Sequence, residues 1–354
     1  MAFRIHPTTA VLLTEATAPS KKVGPTFPSV VVPSRTPVFH MQAHTTTVPE
    51  AAPLKTVLHR IEVPDEEGAQ HNPSVCVVKS ELRVVVRVLH GHKTTNYIAR
   101  VSKGWELIEP TRVRIPVFDR RDLRQLTQAE DLRLFHWRDQ LWAVAAVHDG
   151  RQPPTAIRQA LLQFDETGSA VIEAHVQHSS RHEKNWMPFV DAGRLRLVYS
   201  TDPLIVSTVD AAHRAVPGAP LTHQSTGHVR GGSQLVPWWD GWLGIVHQVY
   251  KPPQHAPNHN PMLSDFWATP PSHPISGVAR TVYIHRFAYF DRAMREVLLG
   301  KPWYWKVPGI EFCAGLTLWQ DGLVASFGVA DREAWLAEIA GDTVMRTFLE
   351  GRRP

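Results

Sequence analysis

The 354-residue chain reads as an all-β protein: a five-bladed β-propeller with a Pro-rich N-terminal arm and a short C-terminal helical segment. Three observations predict this. A unit of polar signature, apolar strand, Gly- or Asp-bearing turn and second apolar strand recurs five times. Helix-period runs are confined to the C-terminal end. A 43% hydrophobic content suffices for one large core.

Residues 1–65 place Pro7, Pro19, Pro25, Pro28, Pro33, Pro37, Pro49 and Pro53 among threonines and serines. Proline removes backbone donors and polar residues bury little, so an extended, partly disordered arm is expected, with Val30-Val31-Val32 among its short Val-rich pieces. The propeller is assigned to 66–354.

The first repeat opens at Asn72-Pro73-Ser74 and runs through Val75–Val78 and Leu82–Arg87. The second opens at Glu130-Asp131-Leu132-Arg133, turns at Arg138-Asp139 and continues Leu141–Val144. The third opens at Glu183-Lys184-Asn185-Trp186, turns at Asp191-Ala192-Gly193 and continues Leu195–Tyr199. The fourth opens at Arg230-Gly231-Gly232-Ser233 and passes Asp240-Gly241 into Trp242–His247; the fifth opens at Glu311 and passes Asp321-Gly322 into Leu323–Phe327. From Asn72 through Asp131, Asn185, Gly231 and Glu311 the steps are 59, 54, 46 and 80. A Pro- and His-rich insertion at about 251–277 accounts for the last, leaving a period of roughly fifty residues, as in propellers. Helices are expected at Asp331–Leu336 and Val344–Leu349.

Cys76 and Cys313 both lie in apolar runs and no C-x-x-C pair is present, so neither a disulfide framework nor a zinc motif is expected. The histidines of the insertion, His255 and His259, and the pair His90 and His92 lack carboxylates at ligand spacing, so no metal or other cofactor is expected. The apolar run Ala10–Leu13 is too short for a secretory core, and no stretch reaches the roughly 18 to 20 apolar residues of a membrane span. A cytoplasmic location is expected. The net charge of +5 comes from scattered arginines rather than clustered basic runs, which argues against a nucleic-acid partner.

In a propeller the innermost strand of each blade lines the central channel. Asn72, Glu130, Asp131, Lys184, Asn185, Arg230 and Glu311 therefore converge. Unpaired charges are costly in a dry core, so they either pair to close the blades or surround a ligand funnel. Donors and acceptors of both signs suit a polyhydroxylated ligand, and Trp142, Trp186, Trp238, Trp239, Trp303 and Trp305 offer faces for sugar rings, although each taken singly is expected in blade packing.

Three segments resemble motifs of the furanosidase-type propellers, and within them of glycoside hydrolase family 130, the β-mannoside phosphorylases and hydrolases. Glu130-Asp131-Leu132-Arg133 is similar to Glu-Asp-Pro-Arg, Gly244-Ile245-Val246-His247 to an apolar strand ending in His, and Phe327-Gly328-Val329-Ala330-Asp331 to Tyr-Gly-Ala-Ala-Asp. The resemblance covers roughly 72–336 and departs from the family at Leu132 and at Glu183–Trp186. It implies that Asp131 is the general acid, a role that a raised pKa beside Glu130 would suit. Arg133, Lys184, Arg230 and His247 would hold phosphate, and Asn72, Asn185, Trp186, Glu311 and Asp331 would bind sugar; Asp331 is equally placed to cap the helix expected after it. Asn72 cannot act as a base, so a simple two-carboxylate hydrolase is disfavoured: the attacking group must bring its own nucleophilicity, as phosphate does, or be activated by Glu183 or Glu311.

The expected activity is inverting glycosyl transfer on β-mannoside-like glycosides, with inorganic phosphate or a sugar phosphate as co-substrate. A sugar-nucleotide-dependent glycosyltransferase and a non-catalytic glycan-binding propeller are the alternatives. No membrane span is expected, and a homo-oligomer is compatible with the sequence.

Overall fold

The computed structural model describes residues 50–91, 93–115, 129–148, 157–177, 183–220, 229–250 and 281–349. The insertion at 251–277 and the Val30-Val31-Val32 piece lie outside them. The described residues are mostly strand, in five sheets with one C-terminal helix.

Two short strands come first, β1 (Ala52–Pro53) and β2 (Val57–Ile61). Three meanders follow. The first holds β3 (Ala69–Val78), β4 (Glu81–His90), β5 (Lys93–Val101) and β6 (Leu107–Arg112). The second holds β7 (Glu130–Trp137), β8 (Gln140–His148), β9 (Ile157–Phe164) and β10 (Val171–Val176). The third holds β11 (Met187–Asp191), β12 (Arg194–Thr201), β13 (Leu204–Val209) and β14 (Ala215–Pro217). Each is four-stranded and antiparallel, paired in chain order.

The fourth sheet is larger. It joins β15 (Arg230–Gly231), β16 (Val236–Trp238), β17 (Gly241–Tyr250), β18 (Val282–Phe290), β19 (Val297–Leu299) and β20 (Trp303–Tyr304), with β1 pairing parallel to β20. The last sheet holds β21 (Glu311–Trp319), β22 (Gly322–Val329) and β23 (Glu333–Ala340), and β2 supplies its fourth strand. The Val57–Ile61 stretch, within the segment read as an arm, is thus built into the sheet formed last in the sequence. Helix α1 (Gly341–Leu349) matches the expected tail helix and buries Val344, Thr347 and Phe348.

The second expected helix is a correction, because Glu333–Ala340 is strand. Ala334, Leu336 and Ile339 are buried while Glu333, Trp335 and Glu338 are less so. That near-alternation fits a strand, and pairing with β22 on one side and β2 on the other overrides the helix preference of Ala, Leu and Glu.

The core explains why the strands read as unbroken apolar runs. Val84, Val86 and Val88 pack with Val324 and Leu336 of the last sheet, whereas Val85 packs with Leu134 and Leu162 of the second. Successive residues point to opposite faces, so a sheet sandwiched between two neighbours buries both sets, at about 1.5–3 kcal/mol for each valine-sized side chain. Phe135 and Trp142 meet Leu195 and Leu197, Met187 meets Val246 and Phe290, and Ile245 and Phe287 meet Ala325 and Phe327. Each sheet packs on the next and the last on the first, a propeller-like arrangement.

Buried polar side chains tie the inner strands together. Ser74 Oγ donates to the Ala314 carbonyl at 3.0 Å and accepts from the Leu134 amide at 2.9 Å. Gln234, 4% exposed, donates to the Val75 carbonyl at 2.7 Å and accepts from the Leu316 amide at 3.1 Å. Gly231 passes so close to the third sheet that a Cβ would lie 2.0 Å from the Asn185 carbonyl oxygen, which explains a glycine at this repeat start.

Candidate functional site

Two repeat starts share one local device. The pairing of β3 with β4 slips between His71 and Ser74, and that of β7 with β8 slips between Glu130 and Arg133. Each bulge carries a left-handed residue, Asn72 at φ 46° and Asp131 at φ 50°; Asn185, just ahead of β11, has φ 67°. Asn and Asp tolerate this region best among non-glycine residues, and the two bulged side chains meet each other.

The result is one connected network. Asn72 Nδ2 donates to Asp131 Oδ1 at 2.9 Å. Arg87 on β4 reaches the same oxygen through Nη1 at 3.3 Å and Glu130 Oε1 through Nη2 at 2.8 Å. Arg133 donates to the Gly232 carbonyl at 2.5 Å, the Asp131 carbonyl at 3.1 Å and Asn185 Oδ1 at 2.9 Å. Repeats one to four are therefore linked through side chains at their starts. Gly328 closes against this point, since a Cβ there would lie 2.4 Å from Asn72 Oδ1.

The electrostatics correct the expected pKa of Asp131. Burial alone would push its carboxyl up, but Arg87, Lys184 and Arg133 and the Asn72 hydrogen bond together hold it below the usual carboxylate range. The cations outweigh the neighbouring Glu130 because that carboxylate is itself paired to Arg87.

Arg133 and His247 are also placed otherwise than expected. Arg133 is fully buried, its donors turned to protein oxygens and its guanidinium 5.6 Å from the Phe312 ring centre, and burial pulls its pKa down to about 10. It braces the network rather than facing an anion. His247 is 2% exposed, stacked on Tyr283 with ring centres 5.2 Å apart, and burial, His285, Arg230 and Arg133 keep its pKa well below the usual histidine value. It is a neutral imidazole. Lys184 and Arg230 are exposed, the first close enough to act on Asp131 and the second paired in register with His247.

Glu311 is not a sugar-facing group. It is fully buried, and its carboxylate accepts from the Trp305, Lys306 and Val307 amides at 2.8, 2.7 and 3.1 Å. Burial nonetheless raises its pKa. Trp186 is 5% exposed and its indole donates to Glu183 Oε2 at 3.3 Å, with Tyr199 donating to Oε1 at 2.9 Å, so both the tryptophan and the Glu183 carboxylate serve blade packing. Trp142, Trp303 and Trp305 are buried likewise, while Trp239 is 64% exposed. Asp331 is exposed at φ 53° in a turn that leads into β23, so it caps no helix; its charge reaches His71 and Tyr283.

Sequence reasoning missed Arg87 and His71. Arg87 ends the apolar run of the second strand, where its charge was the available signal; His71 immediately precedes Asn72 and is 2% exposed, its pKa lowered by burial and by Arg87.

No family model and no curated protein matches the chain. Solved structures do match in fold. A mannose phosphorylase from Leishmania mexicana in complex with phosphate ion is 12% identical, with 82% of this chain and 89% of that chain covered at a TM-score of 0.53. The β-1,2-mannobiose phosphorylase of Listeria innocua is 13% identical over 82% and 95% at 0.50. A structure from work on glycoside hydrolase family 130 enzymes that target β-1,2-mannosidic linkages in Candida mannan is 14% identical over 78% and 86% at 0.51. At these identities the likeness concerns the fold: the chain shares the β-propeller-like architecture of these sugar-processing proteins across most of both lengths.

Proposed function

We propose that the protein is a carbohydrate-active enzyme catalysing inverting glycosyl transfer to phosphate from a β-mannoside-like glycoside, with Asp131 as the proton donor. The observation that carries this reading is the network at the repeat starts, where Asp131 meets Asn72 at 2.9 Å and Arg87 at 3.3 Å with the Lys184 charge nearby. Matches to phosphorylases of the same architecture support it. The larger fourth sheet is read as one of five blades, because its two faces pack on the third and last sheets.

In the free protein Asp131 is held as the carboxylate. Phosphate bound at the exposed Lys184 and Arg230 would neutralise part of the positive field and add negative charge, and both effects raise the affinity of Asp131 for a proton. Phosphate binding thus arms the acid. Asp131 then passes its proton to the glycosidic oxygen, directly or through a sugar hydroxyl, as a phosphate oxygen attacks the anomeric carbon from the opposite face and the leaving sugar departs neutral. Asn72, Asn185 and Asp331 are the proposed sugar contacts.

A second reading, a glycan-binding propeller without turnover, is favoured by the same low pKa, which leaves the free protein without an acid at neutral pH. The deciding experiment incubates the protein with mannosyl and glucosyl disaccharides, with and without phosphate, and measures sugar 1-phosphate. Product that needs phosphate and disappears in Asp131→Asn supports the enzyme. Disaccharide binding retained in both proteins with no product supports the second reading.

A further inference from the structure

Away from the central network, three potential ligand groups converge where the second and third sheets meet. His175 and Glu173 lie on β10, the outermost strand of the second sheet, and His213 lies in the turn between β13 and β14 of the third. His175 Nε2 is 2.9 Å from His213 Nδ1 and 3.1 Å from Glu173 Oε2, and the three atoms lie within 4.8 Å of one another. Among the described residues this is the one group of three or more such side chains with that geometry.

Proton counting makes the arrangement unusual. A ring nitrogen carries at most one hydrogen, so His175 Nε2 can form a full two-centre bond with only one of its two neighbours. If it donates to Glu173, it has no lone pair left for a His213 N–H. If it accepts from His213, its lone pair faces a carboxylate oxygen 3.1 Å away. A cation at the convergence point would satisfy all three lone pairs. Tetrahedral ligands at about 2.0–2.1 Å stand roughly 3.3 Å apart, a few tenths of an ångström beyond the two spacings at His175 Nε2.

The groups are also held in place. Gln177, 6% exposed, donates to the carbonyls of His175 at 3.0 Å and His213 at 2.9 Å, and its own oxygen accepts from the Ala215 amide at 2.7 Å. His213 sits at φ 57° in a turn closed by Asp210, whose carboxylate accepts from the Ala212 and Arg214 amides at 2.9 and 2.8 Å. The two imidazoles pack on Trp142 and Trp137. Glu173 and Asp210 offset the positive charge of Arg138 nearby.

We infer that Glu173, His175 and His213 bind a zinc-type divalent cation that staples the second sheet to the third. Two imidazoles and a carboxylate form a donor set suited to zinc, with water completing the shell. The histidines dismissed on sequence grounds were clustered in the chain. This set spans 40 positions and comes together only across a sheet boundary.

The test strips the full-length protein with a chelator and titrates zinc chloride into it, alongside Glu173→Gln and His213→Asn; asparagine keeps a residue tolerant of positive φ in the turn. Wild-type protein should bind one equivalent and melt about 4 °C higher at a hundredfold excess over the dissociation constant. Glu173→Gln, an exposed and fold-neutral change, should weaken binding at least tenfold, and His213→Asn should abolish the melting shift. Zinc binding of wild-type strength and stoichiometry in both variants would overturn the site. So would the absence of any melting shift in wild-type protein at about 100 μM zinc.

Discussion

Asp131 and Glu311 occupy corresponding places, each opening the innermost strand of its sheet, yet their carboxyl groups behave oppositely. Asp131 is pulled below the usual range and Glu311 is pushed above it. Burial raises both. Asp131 has three cationic side chains acting on it, whereas Glu311 has three backbone amides and the more distant Lys306. Full positive charges outweigh desolvation where amide dipoles do not. Repeat position therefore decides which side chains converge, and the neighbours supplied by other strands decide what those side chains can do.

The sharpest way to break this comparison is to remove each carboxylate. Asp131→Asn should lower sugar 1-phosphate formation by about a thousandfold while disaccharide affinity, measured by calorimetry, changes little. Glu311→Ala should act on the fold instead. Three backbone amides lose their acceptor, at a cost of about 3 kcal/mol and roughly 4 °C in Tm, with kcat/KM per folded molecule unchanged. A large loss of kcat/KM in Glu311→Ala would put both carboxylates in one class.

Arg87→Met sharpens the difference. It removes the cation shared by Glu130 and Asp131, and should destabilise by about 2 kcal/mol. It should also raise the Asp131 pKa, so the alkaline limb of the kcat/KM profile moves to higher pH. A profile that stays in place would show that Arg87 does not set the acid.

A smaller effect appears in stability against pH. The Asp131 contribution is present above its ordinary value of 3.8 and lost as pH falls through the lowered one. Glu311 has the opposite sign: its folded pKa is raised, so its contribution is present below its ordinary value of 4.5 and lost as pH rises through the raised one. Melting curves of wild-type protein and Asp131→Asn should therefore converge in acid. Trp239→Ser, on an exposed side chain, should change stability by less than about 0.5 kcal/mol.

The repeat starts were readable because polar signatures punctuate apolar runs at a steady period, and Asn72, Asp131 and Asn185 do stand together. What escaped were partners contributed by positions with no signature. Arg87 sits at the end of a valine run, and only the strand pairing of the first sheet brings it to Asp131. The buried state of Arg133 and His247 escaped for a related reason. Residue type shows that a side chain can carry charge, but its solvation depends on neighbours far away in the chain. Asp331–Leu336 was misread as helix because its local preference is helical, while β2, the partner of the strand that begins there, lies far away in the sequence.

That last pairing bears on how the protein is made. Ile61 pairs with Ala334, so the last sheet is completed by a segment synthesised about 270 residues before its partner. During translation β2 has no edge to join, and when the ribosome finishes, β23 presents an open flank until β2 arrives. Loop closure over such a separation is slow and leaves β edges available to other chains. Folding should therefore end on a late, concentration-sensitive step, in which closing the ring competes with capture of the same edge by a neighbouring molecule.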